Sequence, residues 1–193
     1  MFNYSQIESV LKEKEYSLDK RVGYPNFIGV RFFSKMNAFD DELYIITYGT
    51  KTNDSENNIT MSIYPFSTDP GLYALHHPIN AKGTFIMAPG YYKDLWTFGL
   101  HKGKYKAFVQ LNPCTGYRDN NKDDKYDLLP KTLTTGINGI NMHKSGIDSV
   151  TVDNYSYGCQ IFKKSPDFAK VLKQAEQSGY TKFNYILINS YEI

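Results

Sequence analysis

The sequence predicts an α+β domain built on a mainly antiparallel sheet with flanking helices, and three observations carry that reading. Apolar residues make up 41% of the 193, with 17 Tyr and 12 Phe, the composition of a globular, strand-rich chain. The middle of the chain alternates short apolar-aromatic runs with Gly, Pro and Asn, the rhythm of strands joined by turns. An amphipathic segment near the end carries both a helix start and a helix stop signal. The length suits one domain over residues 1–193, large enough to bury a core without disulfide staples, with residues to about 58 read as a helix-strand extension.

Residues 4–15 place Ile7, Val10 and Leu11 at helical spacing between charged positions, with Ser5 as the cap. The segments 26–33 and 43–47, rich in Ile, Val, Tyr and Phe, read as strands joined by a connection over 36–41. The polar run 51–58 has no periodicity and reads as an exposed loop before a strand at 59–64. Strands are predicted at 83–87, 95–100 and 105–111, with Ala88-Pro89-Gly90 as a turn. Ser165-Pro166 supplies a cap and an N1 proline, Phe168, Val171, Leu172 and Ala175 form an apolar stripe, and Gly179 stops the helix. The run 183–189 is a strongly apolar strand, buried in the sheet.

Lys and Arg total 22 against 20 Asp and Glu, which leaves no basic field of the kind that holds nucleic acid. No run reaches the roughly 18 to 20 apolar residues of a membrane span. The opening Met1-Phe-Asn-Tyr-Ser-Gln lacks the basic and apolar regions of a secretory signal, so synthesis in the cytoplasm is expected. Two cysteines, Cys114 and Cys159, do not make a disulfide framework, although a bridge between them stays open.

The informative stretch runs from Gly139-Ile140-Asn141-Met142-His143, through a loop, to Tyr155-Ser156-Tyr157-Gly158-Cys159-Gln160-Ile161. A thiol is a weak nucleophile until it loses its proton, so a working cysteine needs a nearby base, and His143 is the nearest in sequence. Gly158 allows a sharp turn that exposes the sulfur and frees main-chain N–H groups for an oxyanion. On residue types alone, an inert core cysteine and a packed histidine are equally good readings.

The pattern of His143, twelve intervening residues and then Ser156-x-Gly158-Cys159 resembles the signature of the L,D-transpeptidase catalytic-domain family. The Gly-Ile-Asn-x-His and Val-Asp segments, Lys82-Gly83-Thr84 and His101-Lys102-Gly103-Lys104-Tyr105 look like phage-encoded members of that family, so the resemblance spans residues 60–189. It implies Cys159 as nucleophile and His143 as base, with Ser156 and Gly158 on the signature's hydroxyl and glycine positions. It further implies a histidine oriented by the Lys144 main-chain carbonyl, and an oxyanion hole from the N–H groups of Tyr157, Gly158 and Cys159. The loop after His143 is shorter than the family's. Tyr157 replaces a second histidine and Gln160-Ile161 an apolar-Asn pair, so Tyr157 and Gln160 are taken as substrate-contacting positions. The implied fold is a partly barrel-like sheet with the late helix beside it.

The resemblance implies a thioester formed at Cys159 with peptidoglycan stem peptides, without cofactor or metal. Without a signal segment, hydrolysis is favoured, as an L,D-carboxypeptidase or endopeptidase in phage lysis or entry, reaching the wall by release, virion delivery or secretion. The alternatives are cross-linking or D-amino-acid exchange, and an inactive wall-binding or virion module. A papain-like enzyme is disfavoured because its cysteine precedes its histidine.

Other features read more plainly. Residues 119–127 alternate oxygen-bearing side chains as a calcium loop does, but Lys122 and Lys125 interrupt the set and the turn glycine is missing, which favours a solvated acidic turn. His76-His77 lacks a metal-binding partner set. His101 is read as a surface histidine or as the lining of a groove for an anionic stem. Arg118 is read as a fork for a substrate carboxylate or as half of an internal ion pair.

Overall fold

The computed structural model describes residues 1–50 and 58–193. The expected loop at 51–58 therefore falls almost wholly outside the described residues.

The chain is α+β, with mostly antiparallel strands and few helices. Helix α1 (Tyr4–Glu13) is followed by β1 (Asn26–Arg31), β2 (Asp41–Tyr48) and β3 (Ile59–Ser67), then a short α2 (Leu72–His76). Next come β4 (Thr84–Met87), β5 (Gly90–His101), β6 (Tyr105–Gln110), β7 (Cys114–Asp119) and β8 (Thr134–Gly136). The last elements are β9 (Met142–Lys144), β10 (Gln160–Phe162), α3 (Ser165–Gln177) and β11 (Lys182–Asn189). Eight strands pair in the order β1-β11-β5-β6-β9-β10-β3-β2, and β2 pairs back to β1. Only the β1–β11 and β9–β10 pairs of this sheet are parallel. A separate three-stranded sheet has the order β4-β7-β8.

Residues expected to form an N-terminal extension are built into this sheet. Every residue of β1 is buried, since the strand has a hydrogen-bonded neighbour on each side and a covered face above and below. One face of β1, β2 and β11 buries Ile28, Val30, Tyr44, Ile46, Ile186 and Ile188 under Ile7, Val10 and Leu11 of α1. The opposite face joins an aromatic core in which Phe27, Phe108 and Phe183 meet edge-to-face at 5.3 to 5.8 Å between centroids. Phe168, Val171 and Ala175 of α3 seat the helix in that same core.

Both helices begin earlier than expected, by two residues at α1 and by one at α3. Asn3 caps α1 and forms a capping box with Gln6, so Ser5 lies inside the helix. Lys164 occupies the N-cap of α3 without a side-chain bond, while Gly179 takes φ +76° at the far end as a stop residue should. The turn expected at 88–90 ends early because Gly90 already pairs with Leu187 in β5.

Candidate functional site

Strands β9 and β10 bring the two informative segments together. In their parallel register Ile161 faces His143 and Gln160 faces Met142, and the Gln160 N–H bonds the Asn141 carbonyl at 2.9 Å. One more step of the register sets Cys159 beside Asn141. With side chains alternating along a strand, Cys159, Ile161 and His143 share a face, whereas Met142 and Phe162 point into the aromatic core. The intervening loop is tied down: Ser145 Oγ lies 2.7 Å from both the Phe162 and the Lys163 carbonyl oxygens and shares its one proton between them. Asn37 Oδ1 accepts from Asp153 N at 2.6 Å and from Leu72 N at 3.1 Å.

Gly158 makes the turn into Cys159. Its φ is +115°, and an added Cβ would stand 2.4 Å from the Phe85 carbonyl oxygen. Ser156 is fully buried and braces this turn, its Oγ donating to the Cys159 carbonyl at 2.8 Å and accepting from Gly158 N at 3.1 Å. The Gly158 N–H, one of the three donors expected for an oxyanion, is thus occupied by Ser156 Oγ. Cys159 is half-buried, with Sγ 3.5 Å from the Gly139 carbonyl. Burial pushes its thiol up to about 11, against the opposing pull of the Asn141 main chain and Lys102.

His143 is buried at 2% exposure, and its Nδ1 lies 2.8 Å from the Lys144 carbonyl oxygen. A carbonyl only accepts, so Nδ1 carries the proton and Nε2 holds the free lone pair. That Nε2 is buried without a hydrogen-bond partner among the described residues. Burial, with neighbouring His101, pushes the imidazole down to about 3. At rest the thiol and the imidazole are therefore both neutral.

His101 is not a surface residue. It is 6% exposed and lies flat on His143, since the hairpin between β5 and β6 folds it inward. Lys102 and Gly103 at the tip take φ +49° and +68°, the Lys104 N–H closes the turn on the His101 carbonyl at 2.9 Å, and with Lys104 as the extra residue His101 pairs with Tyr105. Tyr105 Oη approaches His143 Nδ1 at 3.2 Å. Asn141 Oδ1 accepts from Gln110 N at 2.9 Å, so its Nδ2 donates to His101 Nδ1 at 3.1 Å and places the His101 proton on Nε2.

Gln160 also departs from expectation. It is fully buried, its Oε1 accepting from Tyr185 Oη at 2.7 Å and its Nε2 donating to the Thr68 carbonyl at 3.1 Å, so it points into the core away from Cys159. Tyr157 is half-buried and lines a cavity of about 330 Å³ together with Arg118. Arg118 forms no internal ion pair among the described residues; its Nη1 donates to the Gly83 carbonyl at 3.2 Å. Cys114 is a buried free thiol, and Cys159 is free as well.

In the acidic turn Asp119 Oδ2 accepts from Asp127 N at 2.9 Å, and Asn121 Nδ2 bridges Asp123 and Asp127 at 3.0 and 2.9 Å. His76 pairs with Asp124 at 2.7 Å. Among the described residues no group of three or more His, Cys, Asp or Glu is arranged to hold a metal ion, and no helix is long and apolar enough to cross a membrane.

Sequence reasoning singled out Cys159, His143, Ser156 and Gly158 but gave no role to Tyr105, Asn141 or Gln110. The Lys102-Gly103 pair between two strand runs was the available signal for Tyr105. Asn141 and Gln110 act through long-range contacts that no local pattern announces. No family model matches the chain, and neither a curated protein nor a solved structure matches it.

Proposed function

We propose that the chain is a cysteine-dependent enzyme of L,D-transpeptidase type, with that family's partly barrel-like fold, which acts on peptidoglycan stem peptides through a thioester at Cys159. One observation carries the reading: His143 donates Nδ1–H to the Lys144 carbonyl and keeps an unpartnered Nε2 on the face that Cys159 shares. A histidine held in this tautomer is set to take a proton at Nε2.

In the reaction, Nε2 takes the Cys159 proton as the sulfur attacks the stem's carbonyl carbon. The Tyr157 and Cys159 N–H groups receive the developing oxyanion. Collapse expels the amine, which leaves with the proton from His143, and water or a second amine resolves the thioester. Hydrolysis is the favoured outcome, in phage lysis or entry, with cross-linking or D-amino-acid exchange following if an amine reaches the thioester first. The thiol and imidazole are both neutral at rest, so proton transfer accompanies attack and does not precede it.

That same neutrality supports a second reading, a wall-binding or virion module that does not turn over. Purified wild-type and Cys159→Ala protein, incubated with isolated sacculi and defined tetrapeptide muropeptides, separates the two by mass spectrometry of the products. Release, cleavage or exchange found only with Cys159 supports the enzyme. Sacculus binding by both proteins with no product from either supports the module.

A further inference from the structure

Gln110, the last residue of β6, ties that strand to the loop beside Cys159. Its Oε1 accepts from Asn138 N and Ile140 N, both at 2.9 Å. Its Nε2 lies 3.0 Å from the Asn112 carbonyl oxygen and 3.1 Å from that of Gly136. Two N–H groups on one side and two carbonyls on the other fix the amide in one orientation, because a flipped amide would set donor against donor and acceptor against acceptor. The Gln110 main-chain N–H also donates to Asn141 Oδ1 at 2.9 Å, and Trp96 Nε1 donates to the Ile140 carbonyl at 2.9 Å. Residues 138–141 are thereby held from both flanks.

This clamp sets what the thiol meets. Across a trans peptide the C=O and N–H point in opposite directions. Fixing the Ile140 N–H on Gln110 therefore turns the Gly139 carbonyl the other way, where Cys159 Sγ stands 3.5 Å from its oxygen. A carbonyl oxygen can only accept, so it bonds the protonated sulfur and repels the thiolate. Gly139 takes φ +70°, and an added Cβ would meet nothing within 4 Å, so it is the backbone conformation and not crowding that calls for glycine. Lys102 at the hairpin tip favours ionisation of the thiol. Tyr105 of β6 and Cys114 of β7, both pushed up to about 12 by burial, stay uncharged near pH 7, as do the His143 and His101 imidazoles, which burial pushes down.

We propose that Gln110 is a positioning residue: by locking the Gly139–Ile140 peptide with its carbonyl on Cys159, it keeps the nucleophile protonated at rest, and release of that peptide frees the sulfur to ionise. The clamp is a property of the free protein, and its use in turnover rests on the thioester reading. On ionisation the S–H proton passes to water in the free protein and to His143 Nε2 during turnover.

The test titrates Cys159 by the ultraviolet absorbance of its thiolate, taken as the difference between each protein and the same protein carrying Cys159→Ala. Gln110→Met keeps the side-chain length and removes both hydrogen-bonding ends. It should lower the titration midpoint and speed iodoacetamide labelling of Cys159 at pH 7 about three- to tenfold, the range of one neutral hydrogen bond. Gln110→Glu keeps an acceptor for the Asn138 and Ile140 N–H groups and should titrate no lower than wild type. An unchanged midpoint in Gln110→Met overturns the proposal even where labelling quickens, since faster labelling alone reports access. A Gln110→Glu midpoint as low as that of Gln110→Met overturns it too. The wild-type protein decides if neither variant folds: the infrared S–H stretch of Cys159, isolated by difference against Cys159→Ala, should lie below that of a free thiol, and a free-thiol frequency overturns the proposal. A lowered Gln110→Met midpoint without any Cys159-dependent stem cleavage keeps the clamp and overturns the thioester reading, whereas cleavage with an unchanged midpoint does the reverse.

Discussion

The imidazole of His101 lies flat on that of His143, with ring centroids 4.0 Å apart and an interplanar angle of 29°. The stack keeps water from His143 and adds a second ring that resists its protonation, which is why the imidazole is pushed down to about 3. On the proposed mechanism, kcat/KM should then show no acid limb near pH 6.5, where an unperturbed histidine titrates. His101→Ala removes both effects, so the acid limb should move upward toward 6.5. A wild-type limb already at 6 to 7, unmoved by His101→Ala, would contradict this assignment.

Alkylation reports on the thiol directly. Cys159 is half-buried and pushed up to about 11, and Cys114 is buried and pushed up to about 12, mainly by desolvation. Iodoacetamide should label Cys159 slowly at pH 7, about tenfold faster for each unit of rising pH, and leave Cys114 unlabelled in the folded protein. Rapid, pH-independent labelling between pH 6 and 8 would mean a preformed thiolate-imidazolium pair and refute the neutral resting state.

Replacing Gly158 tests the turn that presents the sulfur. Gly158→Ala combines a backbone of φ +115° with a Cβ 2.4 Å from the Phe85 carbonyl, and should lower stability by about 2–4 kcal/mol in urea unfolding. Gly139→Ala, at φ +70° with nothing within 4 Å, should cost only about 1–2 kcal/mol. Equal losses would show that the approach of Gly158 to Phe85 is not tight.

A buried charge cluster beneath the site gives a pH signature of its own. Arg31 lies fully buried 2.9 Å from Asp69 Oδ1, although its Nε–H is directed to Thr68 Oγ1 at 2.8 Å. Asp41 accepts from Thr68 N and Oγ1 at 2.7 and 2.8 Å and from Phe32 N at 2.9 Å. Burial, then the nearby Asp69 charge, pushes Asp41 up to about 7 from 3.8, and burial raises Asp69 too. A carboxyl raised on folding contributes stability that is full below its unfolded value and lost as pH rises through the folded one. Asp41 should therefore contribute a loss on the order of a few kcal/mol between pH 5 and pH 9, opposed by His143, whose lowered value adds stability as pH rises toward 6.5. In Asp41→Asn that slope should flatten, and an unchanged slope in urea titrations would remove Asp41 as its source.

Much of the frame could be read from local pattern. The α3 stripe of Phe168, Val171 and Ala175 and the apolar run of β11 each announce one element through their own periodicity. Strands β7 to β10 were not read, because three of them are only three residues long and are held by cross-chain pairing. The residue types of the site were legible for a similar reason: Gly158 and Ser156 act on their own turn. His101 and Gln160 were misread because their surroundings come from distant strands, which stack His101 on His143 and bury Gln160 beside Tyr185.

The central claim, a thioester at Cys159, can be read as mass. Wild-type protein mixed with a defined tetrapeptide stem, quenched in acid within the first turnovers and digested, should yield a Cys159 peptide heavier by the acyl portion of the stem. The adduct should be absent from Cys159→Ala and lost on treatment with hydroxylamine. No acyl adduct on Cys159, together with unchanged stem peptide after prolonged incubation, would contradict the account.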